Sequence, residues 1–75
     1  MRRFYSIKDL AVESGVSYHM VYYYIRKNLM REVGTIGEDQ RVFDGSSLER
    51  LKKILALREE GKGISEIEEI LAEEE

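Results

Sequence analysis

This sequence predicts a mainly α fold of the winged helix-turn-helix class, about four helices with one two-stranded β-hairpin, and three observations carry that expectation. Two short amphipathic segments meet at Gly15, with Ser6 and Ser17 placed to cap them. A stretch of β-formers then surrounds the turn signal Gly37-Glu38-Asp39. Two further segments with apolar stripes close the chain. At 75 residues there is room for a single domain, taken as 1–75, with the helix-turn-helix over 6–28, the wing over 31–43 and scaffold helices over 45–60 and 65–73.

Each element has a local cause. Ile7, Leu10 and Ala11 share one helix face behind Ser6, Asp9 suits the helix N-terminus, and Gly15 can take the positive φ that ends a helix. A first helix over Ile7–Ser14 follows, with Val16 entering the core. In the second helix, Ser17 to Asn28, spacing at about 100° per residue puts Tyr18, His19, Tyr22, Tyr23 and Arg26 within one arc of about 140°. Met20, Val21, Tyr24 and Ile25 take the opposite side, so Tyr24 reads as core and the other tyrosines as outward-facing. From Arg31 to Phe43, Val33, Thr35 and Ile36 lead into the turn, and polar Gln40-Arg41 followed by apolar Val42-Phe43 leads out of it, so the segment reads as a short hairpin.

Asp44 or Ser46 caps a third helix, Ser46 with Glu49 making a capping box, and Leu48, Leu51, Ile54 and Leu55 form its buried stripe. Gly61 and Gly63 end it. Ser65 with Glu68 makes another capping box, and Ile64, Ile67, Ile70 and Leu71 define a last helix that covers the core.

The formal net charge of −3 conceals a segregation. Met1 to Lys53 holds ten basic and seven acidic residues, whereas Ile54 to Glu75 sets Arg58 and Lys62 against eight glutamates. Without cysteine, and with one histidine, a structural zinc site is not expected, and no cofactor is implied. No apolar run suits a signal peptide or a membrane span, so a cytoplasmic location and no membrane partner are expected. Nor does any nucleophile–base pairing, glycine-rich phosphate loop or CxxC suggest an enzyme.

The wording of the sequence is itself informative. Tyr5-Ser6-Ile7, Leu10-Ala11, Gly15-Val16-Ser17, Tyr23-Tyr24, Arg41 ahead of Phe43, and Leu48-Glu49-Arg50-Leu51 occur in one order along nearly the whole chain. Together they resemble the N-terminal DNA-binding domain of the mercury-resistance-regulator (MerR) family. The resemblance implies a winged helix that binds double-stranded DNA at a promoter in transcription regulation, usually as a dimer; the weak binding expected of one copy calls for a homodimer, a cooperative assembly or a partner protein. Its recognition helix would lie in the major groove and its wing on the backbone or minor groove. Carried over by position, Ser17, Tyr18, His19, Tyr23 and Arg26 are recognition-helix contacts and Arg41 the wing contact. Tyr22 and Lys27 join them on the same helix, and Arg3 and Tyr5 at the start of the first. The chain departs from the family pattern at Tyr22, usually arginine, at Ile25, usually acidic, and at Gln40, usually aromatic.

Other roles remain open at this level. Lys52 and Lys53 are either a phosphate-facing patch or a solvated face, and Arg50 and Arg58 read as solubilising charges. A small architectural factor of the excisionase kind fits the same features. A protein-interaction module using the acidic last helix fits the charge balance instead.

Overall fold

The computed structural model describes residues 4–74. The elements run β1 (Phe4–Tyr5), α1 (Ile7–Ser14), α2 (Tyr18–Arg26), β2 (Gly34–Ile36), β3 (Gln40–Asp44), α3 (Gly45–Glu59) and α4 (Ile64–Glu73). Four helices surround a small antiparallel sheet of order β1-β3-β2, so the hairpin wing is extended by a strand that the sequence pattern does not predict. Two residues are too few to show an alternation. What makes β1 a strand is its pairing with β3, Phe4 opposite Asp44 and Tyr5 opposite Phe43.

α1 is fixed at both ends by local chemistry. The Asp9 N–H donates to Ser6 Oγ at 3.1 Å and the Ser6 N–H to Asp9 Oδ2 at 2.9 Å, a reciprocal capping box. At the other end Gly15 takes φ +74, a conformation that costs glycine nothing, and its successor Val16 donates back to Ala11 at 3.1 Å. That tight turn sets α2 against α1. Ser17 Oγ accepts the Met20 N–H at 3.1 Å, and α2 stops where Asn28 adopts φ +62 and Leu29 donates to the Tyr24 carbonyl at 3.0 Å.

The core draws on every helix: Ile7, Leu10 and Ala11 from α1, Val21, Tyr24 and Ile25 from α2, Leu48, Leu51 and Ile54 from α3, and Ile67 and Leu71 from α4. Phe43 of β3 and Leu29 and Met30 after α2 complete it. The inner side of α2 is as the spacing predicts except at Met20, which is 42% exposed. Met20 lies in the first turn of α2, at the margin of the inward arc. Val16 and Leu55 are half-buried and pack against the core edge.

Of the two caps expected for α3, Asp44 is the one that forms: its Oδ1 accepts the Ser47 N–H at 3.1 Å and the Ser46 hydroxyl at 2.6 Å. Ser47, not Glu49, returns the bond to the cap N–H. α4 begins at Gly63 rather than Ser65, because the Glu66 carboxylate accepts the Gly63 N–H at 3.1 Å. This earlier start adds Ile64 to the helix, where it packs on the core. Arg50 is not a mere solubilising charge either: its Nε donates to the Leu29 carbonyl, tying α3 to the chain that leaves α2.

The Ser46 hydroxyl and then the Ser47 N–H hold the Asp44 carboxyl below its ordinary 3.8. A carboxylate favoured by folding stabilises the native state above its unfolded pKa and loses that effect as pH falls through the lowered native value. Asp44→Ala should therefore lower the urea midpoint most at neutral pH. The gap to the wild type should narrow as pH drops below 3.8, and an unchanged gap would show that the cap acts without its charge.

Candidate nucleic-acid interface

α2 presents its outer face because α1 holds its inner one. Ser17, His19, Arg26 and Lys27 are exposed, and Tyr18 and Tyr23 are 48% and 42% exposed. Tyr24 is buried, so the aromatic cluster divides as the helical spacing predicts. Tyr22 is intermediate, half-buried and packed against the rim of the core.

The rings on this face are ordered by one another. Tyr18 meets His19 edge-on at 6.0 Å between centroids and stacks on Tyr22 at 6.4 Å with an interplanar angle of 17°. Tyr23 meets Tyr24 at 5.6 Å and 61°, and Lys27 Nζ sits 5.6 Å from the centre of the Tyr23 ring. Edge-to-face and offset arrangements match the positive rim of one ring to the negative face of another, and a cation over a ring uses the same field. The face is thus held in shape while its hydroxyl and cationic groups stay at the surface.

The wing brings a further cation to it. β2 and β3 pair Gly34 with Val42, Thr35 with Arg41 and Ile36 with Gln40, around a turn in which Gly37 has φ +69. Arg41 is half-buried; its Nε lies 3.6 Å from Glu32 Oε1, and its guanidinium carbon is 5.7 Å from the centre of the Tyr22 ring. Wing and helix α2 therefore meet through side chains. Glu32 is absent from the residues that the sequence points to, and the one signal for it is an opposite charge on the facing leg of the hairpin.

Tyr5 lies in β1, half-buried against the core beside Phe43, and Arg3 falls outside the described residues. Lys53 forms an ion pair with Glu74, which ties it to the end of α4, and Lys52 is exposed. A cleft of about 270 Å³ at the base of the wing is lined by Arg31, Glu32 and Arg41 with Ile25, Asn28 and Met30. A larger one, about 460 Å³, lies between the segment after α2, the start of α3 and α4, away from the outer face of α2. Among the described residues no cluster of His, Cys, Asp or Glu could hold a metal ion, and no helix is long and apolar enough to cross a membrane.

Comparison with known proteins agrees with this geometry. The family model described as MerR HTH family regulatory protein matches residues 5–74. The HTH-type transcriptional regulator MerD of Acinetobacter calcoaceticus is 35% identical over 60 residues, which cover 80% of this chain and 50% of that protein. The chain thus spans half the length of that relative. Among solved structures, the N-terminal part of MtaN, the Bacillus subtilis multidrug transporter activator, superimposes with a TM-score of 0.83 at 33% identity, covering 89% of this chain and 63% of that one. HiNmlR, a MerR family regulator lacking the sensor domain and bound to promoter DNA, shares the fold with a TM-score of 0.79 at 22% identity, covering 89% and 53%. Matched over almost its whole length by the family model, and by a relative that is itself a transcriptional regulator, the chain belongs to the MerR HTH family of regulatory proteins.

Proposed function

We propose that the chain is a sequence-specific binder of duplex DNA in transcription regulation, one domain over 1–75, with α2 in the major groove and the wing on the backbone or minor groove. The observation that carries this reading is the side-by-side exposure of Ser17, Tyr18, His19, Tyr23, Arg26 and Lys27 on α2, flanked by Tyr22 and Arg41. An α-helix has the width to enter the major groove, where tyrosine hydroxyls and cationic groups reach phosphates and a histidine beside Tyr18 approaches base edges. Arg3 and Tyr5 are assigned supporting contacts near the start of α1.

A single copy making about four to six phosphate contacts binds weakly at physiological salt, so useful affinity calls for a homodimer, cooperative assembly or a partner protein. The cytoplasm is the compartment where such a regulator meets its DNA. An excisionase-like architectural role would use the same surface. The acidic α4, with Glu66, Glu68, Glu69 and Glu73 exposed, favours a second reading, in which a basic partner protein docks there.

One titration separates the readings. With random-sequence duplex DNA at low salt, NMR shifts should move at Tyr18, His19, Tyr23, Arg26 and Arg41, and the changes should shrink as salt rises. Changes confined to α4, or none on α2, would sink the DNA reading.

A further inference from the structure

The register of β3 turns Arg41 toward the helices. Side chains two apart in a strand share a face, so Arg41 starts on the same side of the sheet as Phe43, which is fully buried. From there its guanidinium lies over Tyr22, and Tyr22 in turn stacks on Tyr18 in the first turn of α2. Glu32 closes the series by pairing with Arg41. A wing cation is thus joined to the start of α2 through two rings, with a carboxylate at its edge.

We propose that Tyr22 is a positioning residue that orients Arg41 and so sets the wing against α2, and that Glu32 is the anion a DNA phosphate displaces from Arg41. The proposal rests on the DNA-binding reading above. Guanidinium chemistry makes the two contacts compatible: the planar group meets a ring through its face while its N–H donors lie in its own plane. Arg41 can therefore keep Tyr22 and exchange one oxyanion for another. The Glu32 pair is more than a third exposed on both sides, where ion pairs are weak and screened by salt, so the exchange is easy. The ring meanwhile limits the rotamers of a long side chain, and that freedom need not be lost on binding.

Chains carrying Tyr22→Phe, Tyr22→Leu, Arg41→Ala, the Tyr22→Leu/Arg41→Ala pair and Glu32→Gln test this in two ways. In the free protein, the Arg41 side-chain protons should be shifted upfield by the ring in the wild type and in Tyr22→Phe, and should relax in Tyr22→Leu. With random-sequence duplex DNA, Tyr22→Leu should bind about fivefold more weakly than Tyr22→Phe, which keeps the ring and loses only the hydroxyl. The double variant should be no weaker than Arg41→Ala alone, the non-additivity of two residues acting through one contact. Glu32→Gln, a surface change that leaves the core intact, should tighten binding.

Additive losses, a Tyr22→Phe variant as weak as Tyr22→Leu, or an unshifted Arg41 in the wild type would overturn the role of Tyr22. Unchanged affinity in Glu32→Gln would overturn the exchange. A wild type that binds no duplex would defeat the DNA reading and the exchange with it, while the Arg41 shift in the free protein would still decide whether Tyr22 orients the arginine.

Discussion

Phe43→Ala should remove a large part of the stability of the domain and lower its urea midpoint steeply. Phe43 is fully buried, sits in the middle strand of the sheet and lies two residues after Arg41 of the wing and next to the Asp44 cap of α3. β3 touches β1, β2, α1 and α3, so this one ring fills space shared by the wing and the helical scaffold. Truncating a buried phenylalanine costs about 3–5 kcal/mol. A chain of this length has a net stability of roughly 4–11 kcal/mol, so the loss removes a large part of it. Phe43→Leu, closer in volume, should cost about 1.5 kcal/mol or less. Urea melts followed by circular dichroism would check both, and an unmoved midpoint in Phe43→Ala would mean that the sheet is not anchored there.

Phe43 also shows where sequence reading succeeds and stops. Its place in a short strand after a turn is a local signal, but Gln40-Arg41-Val42-Phe43-Asp44 does not alternate in burial, and of the five only Phe43 is buried. Its partner Tyr5 lies in a two-residue strand far upstream, and no window along the chain contains both. The same contrast runs through the fold. The bounds of α1 are readable because Ser6, Asp9 and Gly15 each act within a few residues. The start of α4 is not, because two carboxylate caps two residues apart, Glu66 on Gly63 and Glu68 on Ser65, suit the same apolar pattern. Packing of Ile64 on the core favours the earlier one. Arg50 reaches the Leu29 carbonyl across 21 residues, beyond any periodicity.

At the candidate site, helical spacing gives the exposure of Tyr18, His19, Tyr23 and Arg26, and misplaces Met20, which is exposed, and Tyr22, which is half-buried against the core, because an arc says which side a residue takes but not how deeply it is covered. The contact of Arg41 with Tyr22 and Glu32 needs the register of the hairpin relative to α2, which is a tertiary fact.

Arg26→Ala combined with Lys27→Ala should weaken binding to every duplex alike, by roughly 10- to 100-fold near 0.1 M salt. The net charge of the chain does not argue against this. The acidic α4 packs on α3 and α2 on α1, so the two charge populations sit on different parts of the scaffold. Fields between exposed charges fade over about 10 Å at 0.1 M salt. Arg26 and Lys27 end α2, where cations also suit the negative pole of the helix, so their removal weakens the helix terminus slightly as well. Each phosphate contact contributes about 0.9 to the slope of log affinity against log salt, so the double variant should show a slope shallower by about two. His19→Ala should behave differently: its ring lies edge-on to Tyr18 in the first turn of α2, and losing it should reorder preferred sequences while leaving the salt slope alone. Affinities for several duplexes across a salt series would separate the two behaviours. If the Arg26/Lys27 variant lost affinity for one sequence only, or kept its slope, these cations would not be the phosphate anchors of α2.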